Sequence, residues 1–327
     1  MDTKELMENV NEIKNLIAQS KILIGDIIYS IYPITNTDNI TISIETTNNI
    51  MKIKDLTNKA EKLMDNIKFN GQQESTGITN GIKIVNWTDG SWEDITKMLD
   101  AHYRGIINIT DYWKTGNIRG VELSTGEMLY LTLIGNNHDD LANPINGITK
   151  AAFTVQTKNC LETKMRMFDS YDDPKFSSWA NSDIRNYLNT EFYQNLPDEL
   201  QSMIKTVMKV TYRYAYKPKF GPYYSESTTT EDDIFLLSEM EVYGTQTMGT
   251  ESDYGRGEDG TQYEYYKTTS NRIRYLGIDG TLAQYWWLRS SYVSGNGNSY
   301  FRSVDSDGRV GIGIADNAYG VVPAFCI

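Results

Sequence analysis

A chain of 327 residues is long enough for one or two globular domains plus an extension. Its formal charge of −12 argues against nucleic acid or an anionic membrane as the main partner, because each recruits a basic patch. Two cysteines, Cys160 and Cys326, are too few for a disulfide framework or a zinc cluster, and their apolar surroundings suit buried thiols, with a bond between them left open.

The first element is periodic. Leu6, Val10, Ile13, Ile17, Ser20, Ile24, Ile27 and Ile31 recur at alternating spacings of four and three. That is a heptad seam, and isoleucine at both seam positions favours three or four strands over two. Residues 1–32 are therefore expected to form a parallel coiled coil, a homotrimer, with Leu6, Val10, Ile13, Ile17, Ile24, Ile27 and Ile31 as its oligomerisation contacts. Pro33 stops the helix. Residues 33–80 read as a connector and a second helical stalk segment, carried by Ile53, Leu56, Ala60, Leu63 and Ile67 and closed by Gly71, Gly77 and Gly81. The globular domain is expected over 81–327, with 81–150 as a candidate subdomain. The opening MDTKELMENV is acidic and helical, unlike a secretory signal, and no apolar run reaches the length of a membrane span. Synthesis in the cytoplasm without membrane insertion is the expectation.

Within the globular part, Asp89-Gly90 is a turn. Ser91 is placed to cap a helix from Trp92 to about Tyr103, with Asp94 completing the capping pattern. Residues 118–123 and 128–134 read as a hairpin turned at Thr125-Gly126, and 153–156 as a strand. Helices are predicted over 182–193 and from Pro197, then a strand over 205–214. Residues 215–233 read as loop, 234–244 as a buried strand, and 245–272 as a long polar loop of the functional or mobile kind. Short strands close the chain at 286–288, 300–304, 310–314 and 322–325, with a hairpin turn at Asp305-Ser306-Asp307-Gly308. The fold class read from this pattern is α+β: an N-terminal helical coiled-coil stalk, then a domain of short strands, two or more helices and long loops.

The terminal stretch interleaves apolar residues with polar and aromatic ones. Tyr292, Ser294, Asn296, Asn298, Tyr300, Arg302, Asp305, Asp307, Arg309, Asn317 and Tyr319 have the composition of a recognition surface, where Tyr and Arg anchor and small polar groups adapt. They are the candidate ligand-binding residues. Catalytic signals are weaker. His138 precedes Asp139-Asp140 in a polar turn, and His102 sits in the first globular helix. The pairs Asp172-Asp173 and Asp232-Asp233 fit a turn and a strand end as well as a glycosidase. No nucleophile elbow, phosphate loop or zinc signature is present. The reading is of a non-enzyme with no catalytic residues, metal or cofactor.

The segments WWLRSS (286–291), IFLLSEMEV (234–242), NSDIRNYLN (181–189) and GVVPAF (320–325) together resemble the C-type-lectin-like domains of bacterial and phage proteins. These are related in fold to formylglycine-generating enzymes and include displayed proteins diversified by retroelements. Residues from Trp87 to about Pro197 resemble the front half of long prophage-encoded proteins of Firmicutes. The resemblance spans roughly 85–327. It departs from the common pattern at Val322, where many members carry arginine, and at Ser290-Ser291, where Ser-Pro is common. It implies a C-type-lectin-like domain whose segment before GVVPAF faces ligand. It also implies a virion adhesin acting at the host cell surface, joined to other virion proteins through its N-terminus and binding a host glycan or protein. The alternative is a structural virion component, such as a neck, collar or head decoration or fibre.

Overall fold

The computed structural model describes residues 77–168, 178–215, 224–245, 260–293 and 299–327, together with Lys52. The chain divides into two units, 1–75 and 76–327, and the second is the one described here. The expected coiled coil of 1–32 and the second seam of 53–67 lie outside the described residues.

The described unit begins with a two-stranded ribbon, β1 (Ile78–Thr79) and β2 (Ile82–Lys83). Helix α1 (Trp92–Tyr103) follows, started as its sequence predicts: the Ser91 hydroxyl accepts from the Asp94 backbone N–H. Its buried face, with Ile95, Met98 and Leu99, packs into the core.

Strands β3 (Ile118–Glu122) and β4 (Met128–Asn136) form the expected hairpin. Next come β5 (Asp140–Ile145), β6 (Ile148–Lys150) and β7 (Phe153–Thr157). A helical run starts as α2 (Asp183–Tyr187), widens through a π turn at Leu188–Phe192 and closes at Tyr193–Asn195. Asn189 in that turn receives the backbone N–H groups of Asp233 and Ile234 and donates to the Ile234 carbonyl. Helix α3 (Asp198–Met203) follows, then two long paired strands, β8 (Val207–Ala215) and β9 (Tyr224–Asp232). Next are β10 (Ile234–Phe235), helix α4 (Glu239–Tyr243) and the short pair β11 (Arg274–Tyr275) and β12 (Ala283–Gln284). The chain ends with β13 (Trp286–Val293), β14 (Ser299–Val304), β15 (Val310–Ile314) and β16 (Ala324–Cys326).

These strands form two main sheets. One is antiparallel with order β10-β16-β7-β4-β3. The other runs β15-β14-β13-β8-β5-β6, with β9 also paired to β8. Strand β8 organises the second sheet. It has β9 along its whole length, β5 at Val207 and β13, in parallel, at Arg213 and Tyr214. Trp287, Leu288, Phe301, Val321 and Phe325 are fully buried, as their apolar spacing suggests.

The α+β expectation is overturned. The described residues are chiefly β-sheet, with few and short helices. Two misread segments account for much of the difference. Residues 215–233, read as loop, contain β9. Its sequence, YSESTTTED, has no apolar alternation, yet β-branched threonine suits an extended backbone once β8 supplies a partner. Residues 234–244, read as one strand, leave the sheet after Phe235. Ser238 caps α4, Glu241 reaches back to complete a capping box, and Gly244 ends the helix at φ 71°.

One close approach is testable. A Cβ on Gly313 of β15 would lie 2.4 Å from Trp287 Cη2 and 2.6 Å from Tyr319 Cε2. Gly313→Ala is expected to lower stability in urea titration by about 1–3 kcal/mol, the usual cost of overpacking. An unchanged midpoint would show that these rings do not pack on β15.

Candidate functional site

Charged side chains of the second sheet, Lys209 on β8 and Arg289 on β13, meet carboxylates from the β4–β5 turn and from α4. Lys209, inside β8, has Nζ 2.5 Å from Asp139 Oδ1 and 2.8 Å from Glu241 Oε1. Asp139 lies on the turn joining β4 to β5. It accepts from the Tyr263 hydroxyl at 2.9 and 3.0 Å, from the Thr154 hydroxyl, and from the Cys326 thiol at 3.4 Å. Glu241, in α4, is held by both terminal nitrogens of Arg289 from β13, with Nη2 to Oε1 at 3.0 Å. The Ser238 backbone N–H also donates to Glu241 Oε2 at 2.8 Å. Arg289 donates further to the Leu236 carbonyl and the Thr211 hydroxyl. The four charged side chains are between 1 and 4 % exposed. Two acids face two bases, so the group carries no net formal charge.

Local sequence builds this arrangement. The capping box fixes Glu241 at the third position of α4. Gly135 lets Tyr263 approach, because a Cβ there would stand 2.8 Å from Tyr263 Cδ1. His138 stacks on the same ring at 3.8 Å and has Nδ1 3.5 Å from Asp139 Oδ1. Phe235 puts its ring 3.9 Å from Lys209 Nζ.

Burial and pairing act in opposite directions on these groups. Burial pushes the Asp139 carboxyl up, but the Lys209 ammonium and His138 outweigh it, holding Asp139 well below the usual carboxylate range. Burial also raises Glu241, and Arg289 with Lys209 bring it below its ordinary value. Burial lowers Lys209, and its two carboxylates raise it above its ordinary value. Enclosure beside Asp139 pushes the Tyr263 hydroxyl and the Cys326 thiol well up.

The other groups singled out in the sequence are also tied into the framework. Asp232 is fully buried, 2.6 Å from Arg185 Nε and 2.8 Å from Trp179 Nε1, while Asp233 accepts from the Thr206 hydroxyl. Asp172-Asp173 lie outside the described residues. Cys160 is buried and its thiol is pushed up to about 12, chiefly by burial. His102 is largely buried, and burial lowers its pKa. Among the described residues, no group of three or more His, Cys, Asp or Glu side chains is arranged to hold a metal.

The candidate binding residues separate into framework and surface. Arg302 is buried, with Nε 3.0 Å from Glu239 Oε2, so it anchors α4 to β14 and does not face solvent. Asp305 closes the expected hairpin turn by accepting from the Asp307 and Arg309 backbone N–H groups. Asp307 and Arg309 are exposed at its tip, 3.5 Å apart. Tyr300 is half-buried on β14. Asn317 donates to the Tyr319 hydroxyl at 3.2 Å, and the Tyr319 ring packs 4.5 Å from Trp287 and 5.3 Å from Tyr285. Tyr292 falls in β13, its side chain outside the described part, and Ser294, Asn296 and Asn298 lie outside the described residues.

The sequence reading missed the neighbouring surface. Tyr275, Ile278, Leu282 and Tyr285 are four of the seven exposed large apolar side chains among the described residues. Leu282 is 74 % exposed and Tyr285 45 %. Tyr275 lies in β11, Ile278 and Leu282 in the turn between β11 and β12, and Tyr285 just after β12, its ring 5.3 Å from Tyr319. The available signal was the aromatic and aliphatic residues around the turn at Asp279-Gly280.

The sequence model of a domain of unknown function, DUF6273, matches residues 157–327. That is more than half of the chain, and the protein belongs to this family. Lys209, Glu241, Tyr263, Arg289 and Cys326 lie within the matched region; Asp139 and Thr154 precede it. No curated protein and no solved structure matches the chain.

Removing Arg289 leaves a buried carboxylate short of its counter-charge. Arg289→Met is expected to lower unfolding free energy by roughly 3–5 kcal/mol in denaturant titration. The pH dependence has a defined sign. Glu241 has a folded pKa below its unfolded value of about 4.3, so its contribution is present above that pH and is lost as pH falls through the folded value. Acid destabilisation is expected to be shallower in Glu241→Gln than in the wild type when Tm is measured from neutral pH downward.

Proposed function

We propose that this protein is a non-enzymatic adhesin of a phage or prophage particle, binding a cell-surface partner through the surface around Tyr285, Asn317 and Tyr319. The observation that carries the reading is the exposure of Tyr275, Ile278, Leu282 and Tyr285 along one short ribbon and its turn, with the Tyr285 ring packed against Tyr319. Exposed apolar side chains grouped in this way mark interaction sites more often than chance surface, and tyrosine supplies contact area at low entropic cost. The backing is firm, since Tyr319 rests on the buried Trp287. The particle assignment is supported by the resemblance of the four quoted segments to displayed phage and prophage proteins.

The test is binding of labelled full-length protein to a panel of Firmicute cells. Tyr285→Ala and Leu282→Ser should each cut binding to a responsive strain about tenfold or more, given hot-spot energies above ~1.4 kcal/mol. Asp307→Ala, at the hairpin tip, should change it less. Full binding by both of the first two variants would remove this surface from contention.

A further inference from the structure

The Lys209–Asp139–Glu241 cluster holds more than an ion pair. We propose that Lys209 and Asp139 form an intramolecular isopeptide bond, with Glu241 as the proton carrier. The inference rests on the geometry between the sheets and is independent of the adhesin reading.

The reacting atoms are close. Nζ is 2.5 Å from Asp139 Oδ1. With a C–O bond of about 1.2 Å, Nζ is then at most about 3.7 Å from Cγ, near the ~3–3.5 Å of an attack-ready pair. Both groups are almost wholly shielded from water, at 2 and 4 % side-chain exposure, with aromatic rings of Phe235 and Tyr263 around them. Shielding favours amide formation by removing the water that opposes condensation.

The steps balance. A proton passes from the Lys209 ammonium to Asp139 Oδ1, leaving an amine and a carboxylic acid. The Nζ lone pair attacks Cγ, and the electron pair of the Cγ–Oδ2 bond moves onto Oδ2. Oδ2 is already met by the Thr154 and Tyr263 hydroxyls and the Cys326 thiol, which can stabilise the charge it gains. Glu241 Oε1, 2.8 Å from Nζ, takes a proton from the nitrogen and returns it to Oδ1. Oδ1 leaves with its two protons as water, the C=O re-forms at Oδ2, and an amide joins β8 to the turn before β5. No oxidant or other co-reactant is needed.

The measurement is the intact mass of the purified full-length protein under denaturing conditions, followed by peptide mapping. The expected result is a mass one water below the sequence value and a branched peptide joining Asp139 to Lys209. Lys209→Arg should restore the full mass. Glu241→Gln should slow or abolish the loss, and if it loses water as fast as the wild type, Glu241 is not the proton carrier. A wild-type mass equal to the sequence value overturns the proposal, and that measurement stands even if the variants fail to fold. Loss of water mapped instead to an Asp-Gly site such as Asp307-Gly308 also overturns it. Such a succinimide reopens in mild base, whereas the amide persists.

Discussion

An ammonium group enclosed away from water must be met by negative charge, and Lys209 is met by two carboxylates from distant parts of the chain. Each carboxylate then needs further donors, so the requirement spreads. Asp139 draws in Thr154 from β7, Cys326 from β16 and Tyr263 from within the 245–272 stretch. Glu241 draws in Arg289 from β13, which in turn reaches Thr211 on β8. Satisfying one cation therefore fixes how the two sheets face each other. Hydrophobic burial supplies most of the driving force for such a core, but apolar contacts tolerate sliding. Charged hydrogen bonds at defined angles do not.

Buried charge and exposed apolar side chains occupy different parts of the described residues. The buried Lys209, Arg289 and Arg302, all on the second sheet, pair with carboxylates of the β4–β5 turn and α4, while four of the seven exposed large apolar side chains among the described residues lie on or beside the β11–β12 ribbon. Arg302 shows how composition alone can blur this division. In a stretch rich in Tyr, Asn and Ser it looks like a contact residue, yet on β14 it turns inward to Glu239. Both faces of β14 are covered there, since Phe301, Arg302, Ser303 and Val304 are all buried.

What the sequence revealed depended on how local the signal was. The start of α1 at Ser91, the β3–β4 hairpin and the turn at Asp305 are set by neighbours within a few residues, and each was legible. Strand β9 was not, since its threonines become a strand only beside β8. The charge cluster was partly legible. Lys209 in VMKV and Arg289 in WWLRSS are single charges inside apolar runs, which signals a buried ion. Their partners were not, because the contacts span 70, 32 and 48 residues. The exposed ribbon escaped notice because Tyr275 and Leu282 are as apolar as core residues, and only solvent exposure distinguishes them.

Strand β16 enters the first sheet between β7 and β10, pairing Cys326 with Thr154 across 172 positions. Such separation makes folding slow, since a very long loop must close before that pairing gives any return. Until β16 arrives, β7 presents an open edge able to recruit a strand from another molecule. The matched family region begins at Thr157, the last residue of β7. Cut there, the polypeptide would keep β16 and lose the neighbour it zips against, so the boundary of recognisable sequence is not a boundary at which this fold divides.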